Sequence, residues 1–292
     1  MNYIDYHADD YGVSKYASER ILELVEKQKL DSISIIANMS CYEECMQLLS
    51  DKWQTLPQKP LLCVHLNISN GLSLEDGRIL SQSWGGLFIR SFLPGAKRNA
   101  VKKMLVCEYK KQIEKVYSFQ KNLNDPEALY LRLDSHNHIH MIPLAFDAML
   151  CAVSELGLEN KLTNIRLSRE PLFMFLFTKK VAFTYPLINL VKNMILNILS
   201  VRAKRILNVR NIPYTVLCGL ALSGQTDHTR ISILMPRLFA FSKKQKHPIE
   251  ILRHPGRILE NEVLPEKGSA ADLEFLTSKN RDLEYEAALL NP

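Results

Sequence analysis

Short runs rich in apolar residues recur along this chain, separated by longer stretches whose apolar positions return every three or four residues. The short runs predict strands over 3–6, 32–37, 61–66, 129–133, 164–167, 214–218 and 249–252. The longer stretches predict helices over 15–29, 42–49, 100–122, 144–156, within 171–207, and over 227–239 and 271–288. In 15–29, Ala17, Ile21, Leu24 and Val25 fall near helical spacing, and Ser14 stands where an N-cap belongs. Strand–helix alternation of this kind joins parallel strands by helical crossovers, so the fold class is α/β. Seven such units either close into a barrel or lie side by side as an open sheet.

Polar residues punctuate this pattern at one kind of place. Asp9 and Asp10, His65, His136, Arg169 and His254 all fall at or just past the C-terminal end of a predicted strand. Barrel active sites gather at that face, which makes these residues candidates for one site. The densest cluster runs from Asp134 to His140, with imidazoles at the alternate positions His136, His138 and His140. If the chain stays extended there, the three point the same way and converge on one spot. Neutral imidazole is a common metal ligand.

Each residue also has a plainer reading. Asp9 and Asp10 ahead of Gly12 suit a turn and helix cap, and a lone His65 suits a hydrogen-bonded core. His7, His228 and His247 have no comparable setting. One Asp with two His leaves coordination positions open for water and substrate, as a hydrolytic metal centre requires. Such ligands suit one divalent ion, Zn²⁺ first and Mg²⁺ as the alternative.

Composition narrows the classes. The 292 residues, 47% hydrophobic and 23% charged, suit one domain over 1–292 with a sizeable core. Six cysteines show no paired CxxC spacing, so a disulfide framework is not expected. The start has no basic and apolar leader, which points to the cytoplasm. Net charge is +6 but uneven: 171–226 contains no Asp or Glu, while Lys179, Lys180, Lys192, Arg202, Lys204, Arg205 and Arg210 fall there. That asymmetry suggests an anionic partner or surface.

Four blocks give a specific resemblance. Ala8–Ser14, Val64–Ile68, Leu133–Pro143 and Arg253–Gly256 resemble, in order and across nearly the whole chain, the signature blocks of the YdjC-like carbohydrate deacetylase family, the chitooligosaccharide and hopanoid-associated deacetylases. The resemblance implies a distorted TIM-like (β/α) barrel of about seven parallel strands with outer helices, binding one divalent metal. It implies Asp10, His65 and His136 as metal ligands, Asp9 as catalytic base and His254 as general acid. Arg169 is then the expected partner orienting Asp9, although the stretch from Arg166 to Pro171 departs from the family spacing. The implied reaction is hydrolysis of an N-acetyl group from an amino sugar, free or lipid-linked.

Two other classes compete. A metal-dependent phosphoesterase also uses His and Asp at barrel strand ends, but those sites usually want two metals and bridging carboxylates. A non-catalytic sugar- or membrane-surface-binding protein needs neither base nor acid. Nucleic acid is not an expected partner, because the basic stretch is too apolar and carries no known module. The basic, apolar insertion at 171–210 is either a helix pair buried on the barrel with a basic outer edge, or an interfacial element resting on anionic lipid at the inner face of a membrane. Lys179, Lys180 and Lys192 interrupt it too often for a membrane span. A homodimer is a further expectation.

Overall fold

The computed structural model describes residues 3–291 apart from 179, 183, 185, 186, 267 and 268. Its strands are β1 (Ile4–Tyr11), β2 (Ser32–Ile35), β3 (Leu61–Leu66), β4 (Leu131–Ser135), β5 (Leu162–Leu167), β6 (Tyr214–Cys218) and β7 (Ile249–Arg253). They pair in chain order, all in parallel, and β7 returns to β1 to close a barrel. Around it run α1 (Lys15–Glu26), α2 (Tyr42–Trp53), α3 (Trp84–Arg90), α4 (Gly95–Asn122), α5 (Pro143–Glu155), α6 (Leu172–Leu176), α7 (Leu187–Val209), α8 (His228–Gln245), α9 (Ala270–Thr277) and α10 (Asn280–Leu289). The closed α/β barrel implied by the resemblance is thus the observed architecture.

The strands follow a period of two with a polar interior. Ile33 and Ile35, Leu62 and Val64, Leu131 and Leu133, and Ile165 and Leu167 face the helices and form the main apolar core. Burying each such side chain contributes about 1.5–3 kcal/mol. The alternate residues point into the barrel, where bonds join neighbouring strands and also cross between strands that are not neighbours. Arg132 of β4 reaches Asp5 of β1 at 2.9 Å, and Arg166 of β5 reaches Glu250 of β7 at 2.5 Å. Thr215 of β6 donates to Glu250 at 2.5 Å and accepts from Asn164 at 3.2 Å. Buried charges need this pairing, because an unmatched one costs several kcal/mol (roughly, per ion).

Several expected boundaries shift. Strand β1 runs on through Asp9 and Asp10 to Tyr11, because the barrel interior supplies partners for carboxylates that look in sequence like a turn. Helix α4 starts earlier than expected, at Gly95. The expected final helix is two, parted where Ser278 is extended (φ −64°, ψ 134°). Helix α3 was not anticipated; it is short and opens on Ser83, whose side chain accepts from the Gly86 N–H. Ser14 caps α1 as expected, accepting from the Ala17 N–H at 3.2 Å. The 171–210 segment forms α6 and α7, while Lys179 lies outside the described residues.

Candidate metal centre and active site

Strand β1 delivers two adjacent carboxylates to the barrel mouth. In a regular strand Asp9 and Asp10 would face opposite sides. The pairing to β2 passes from Ala8 opposite Ile33 to Tyr11 opposite Ile35, so β1 carries one extra residue, and Asp10 takes φ 68°. This bulge turns Asp10 toward the site while Asp9 keeps its inward direction. His65 comes from β3 and His136 follows the end of β4. One donor atom from each of Asp10, His65 and His136 lies within 4.8 Å of the others, and all three residues are buried. His65 Nε2 is 3.4 Å and His136 Nδ1 3.2 Å from Asp10 Oδ1.

Each of these residues is held from behind. His65 Nδ1 bonds Asp134 at 2.7 Å, and His136 Nε2 bonds Asp272 at 2.9 Å. Arg281 donates to Asp10 Oδ2 at 2.8 Å, leaving Oδ1 toward the imidazoles. A carboxylate behind each imidazole fixes ring orientation and raises ligand basicity, the usual surrounding of histidines on a metal. Around the mouth Asp9 and Asp134 face the guanidinium of Arg166 and Asp10 that of Arg281, while Asp272 faces the His136 imidazole, so these carboxylates outnumber the guanidiniums. Burial pushes the His65 imidazolium down, but Asp9 and Asp134 outweigh it and hold its pKa up at about 9. His136 is raised too: burial opposes its charge and Asp272 and Asp10 overcome the penalty. The pocket calls for positive charge, and the donor set fits a divalent cation.

Two other groups of donors lie deeper, Asp5 with His7 and Glu250, and His7 with Asp9 and Asp134. Arg132 holds Asp5, and Arg166 holds Asp9, Asp134 and Glu250. Both nitrogens of His7 are engaged by Ser32 at 2.6 Å and Ser34 at 2.8 Å. Those groups are already charge-compensated.

Asp9 and His254 stand beside the triad. Arg166 grips Asp9 through two bonds of 2.8 and 2.9 Å. Burial alone would raise the Asp9 pKa, but Arg166, with His65 and His7, holds it well below the usual carboxylate range. His254 follows β7; its Nδ1 is 3.3 Å from Glu284, which also accepts the His254 backbone N–H at 2.7 Å. Burial opposes the Glu284 charge, but the bond from His254 keeps its pKa low. His254 Nε2 lies 4.0 Å from Asp9 Oδ2.

The structure therefore brings together Asp9, Asp10, His65, His136 and His254. Two expectations fail. The cation on Asp9 is Arg166, not Arg169: Arg166 faces inward within β5, whereas Arg169 lies beyond the strand end, where its backbone carbonyl accepts from Leu217. The three alternate histidines do not converge either. Asn137 and His138 take left-handed φ of 55° and 54°, so the chain leaves the extended path after His136. His138 then meets Ser168 at 3.0 Å, and His140 turns back to Ser135 and the Arg166 carbonyl. Sequence reasoning missed Asp134, Asp272, Arg281 and Glu284. Only Asp134 had a signal, as the inward neighbour of Arg132 in β4.

A family model described as YdjC-like protein matches residues 5–288. No curated protein matches the chain. Among solved structures, a candidate cellobiose-phosphate cleavage protein from Enterococcus faecalis V583 is similar at 15% identity and TM-score 0.49, covering 99% of this chain and 96% of that one.

Proposed function

This chain belongs to the YdjC-like family, and from that membership and the arrangement at the barrel mouth we propose that it is a metal-dependent hydrolase that removes an N-acetyl group from an amino sugar. The observation that carries this reading is the convergence of Asp10, His65 and His136 beside an ionised Asp9 and a carboxylate-backed His254. A divalent ion held by those three residues, with Zn²⁺ best suited to the donors and Mg²⁺ the alternative, supplies polarisation of the amide carbonyl and a water of near-neutral pKa.

The protein's own groups move the protons. Asp9 is the base: Arg166 and His7 occupy Oδ1, and Arg166 alone bonds Oδ2 among the described residues. A lone pair on Oδ2 is thus left for the proton of the attacking water. Water adds at the carbonyl carbon, the C–N bond breaks, and acetate leaves. His254 donates from Nε2 to the departing amine, which would otherwise leave as a costly anion. Glu284 on Nδ1 orients that ring. The 4.0 Å between Asp9 Oδ2 and His254 Nε2 lets base and acid serve one reacting centre.

Acetate release, screened over N-acetylated oligosaccharides, nucleotide sugars and glycolipids with metal-loaded protein, tests the reaction. Asp9→Asn is expected to keep its metal and lose about 10²–10⁴ in turnover. Release of phosphate from ester substrates with no acetate from any amide would replace this reading by the phosphoesterase. The deeper donor groups lend that alternative little support, since Arg132 and Arg166 already occupy them.

A further inference from the structure

Helix α7 buries one face and leaves a second apolar stripe in solvent. Its inward stripe mixes Asn189, Asn193 and Ser200 with Leu196, Ala203 and Leu207, and the two asparagines donate to the Ala221 carbonyl and to Glu170. The outward stripe is Leu187, Val191, Met194, Ile198 and Val201, in alternate steps of four and three residues, and these are 74, 51, 51, 69 and 62% exposed. A helix serving only its own core turns such a stripe inward.

A second exposed apolar site adjoins it. Ile89 and Phe92, at 67 and 71% exposed, lie on and just after α3. Asp147 of α5 ties the two regions together, bonding Arg98 of α4 at 3.5 Å and Arg202 of α7 at 2.7 Å. Arg98 also donates to the Ser91 carbonyl, next to Phe92. The charge pattern is shared: residues 77–107, like 171–226, contain no Asp or Glu, and they hold Arg78, Arg90, Lys97, Arg98, Lys102 and Lys103.

We propose that this face docks on an anionic lipid bilayer, with α7 lying along the surface. The acyl boundary takes the Leu187–Val201 stripe, and headgroup phosphates take flanking cations such as the exposed Lys192 and Arg205. A second copy of the chain fits less well. A two-fold interface sets each patch against itself, so these cations would meet their own kind, with Asp147 already engaged by Arg98 and Arg202. Nucleic acid would leave the apolar stripe unmet. Among the described residues no helix is long and apolar enough to cross a membrane, which suits an element lying on the surface. Helix α7 also packs on the His136–Met141 turn, so the docked face adjoins the barrel mouth.

Co-sedimentation of the full chain with vesicles tests this, using phosphatidylcholine alone or mixed with phosphatidylglycerol. The protein is expected to pellet with the anionic vesicles at least about tenfold more strongly than with the neutral ones, and less so at high salt. Val191→Asp with Ile198→Asp is expected to cut binding at least about tenfold. Lys192→Gln with Arg205→Gln is expected to reduce the anionic preference by about tenfold without touching the stripe. All four positions are exposed, and circular dichroism checks that both variants fold. Acetate release from a water-soluble substrate is expected to stay unchanged in both, which separates failure of docking from failure of the active-site reading. The proposal is overturned if the parent chain stays in solution with anionic vesicles, or if both variants pellet as it does. It is also overturned if the parent is a dimer that the aspartates dissolve, which would assign the face to a second copy.

Discussion

At the level of single residues, the site works through what stands behind each donor. His136 can present Nδ1 to a cation because Asp272 holds Nε2, and Asp272 is itself held by Asn70 and by Asn137 at 3.2 Å. Asp272→Ala is expected to weaken metal affinity about 10–100-fold, read by competition with a chromophoric chelator. Unchanged affinity would remove Asp272 from that role. His140 gives a separate, pH-dependent effect. Its Nε2–H donates to the Arg166 carbonyl at 2.8 Å and its Nδ1 faces Ser135 at 2.6 Å, so the neutral ring is satisfied. Burial pushes its pKa down to about 4, against about 6.5 in an unfolded chain. The unfolded chain therefore takes up the proton first as pH falls, and stability present above about pH 6.5 is lost toward pH 4. By pH 5 the loss from this residue is about 2 kcal/mol. Urea midpoints at pH 7 and pH 5 should lie closer together in His140→Asn than in the parent, and equal gaps would count against it.

Among the elements, the turn after β7 couples the late helices to the proposed metal ligands. Gly256 has φ 85°, and a Cβ there would sit 2.8 Å from the Ala17 Cα. Its carbonyl accepts from Arg281 Nε at 2.6 Å, and Arg281 holds Asp10. Gly256→Ala is expected to cost about 1–3 kcal/mol and to loosen that guanidinium. The melting temperature and the metal affinity should fall together; a lower melting temperature with full affinity would break the link. The barrel strands were legible because their helix-facing residues are apolar at a period of two, from Ile33 through Ile165 to Ile251. The same period, counted along β5 from Asn164, points to Arg166 as the inward arginine, so that error was avoidable. The end of β1 was harder to read, because paired aspartates before a glycine look like a turn unless the interior is known to be polar. The fold-back after His136 has one clue, since Asn137 tolerates the left-handed region better than most residues. Glu284 and Arg281 carry no clue in sequence, because on an acidic, amphipathic helix they resemble solvent-facing positions.

For the whole molecule, the barrel carries a charged lattice where many of its class carry layers of branched aliphatics. Arg132 and Arg166 cross-link β4 and β5 to β1 and β7, so the wall on which Asp9 sits is braced from opposite sides. That bracing sets the distance between base and acid without help from the surface loops. The centre also draws on widely separated parts of the sequence: Asp10 belongs to β1, while Asp272, Arg281 and Glu284 belong to α9 and α10. During synthesis, the earliest ligand therefore waits for more than 270 further residues (Arg281 is 271 positions later) before its counter-charge exists. Under the proposed function, ion capture would wait for the segment carrying Asp272 and Arg281, because a chain translated only as far as His136 has no finished cradle in which to trap the wrong metal.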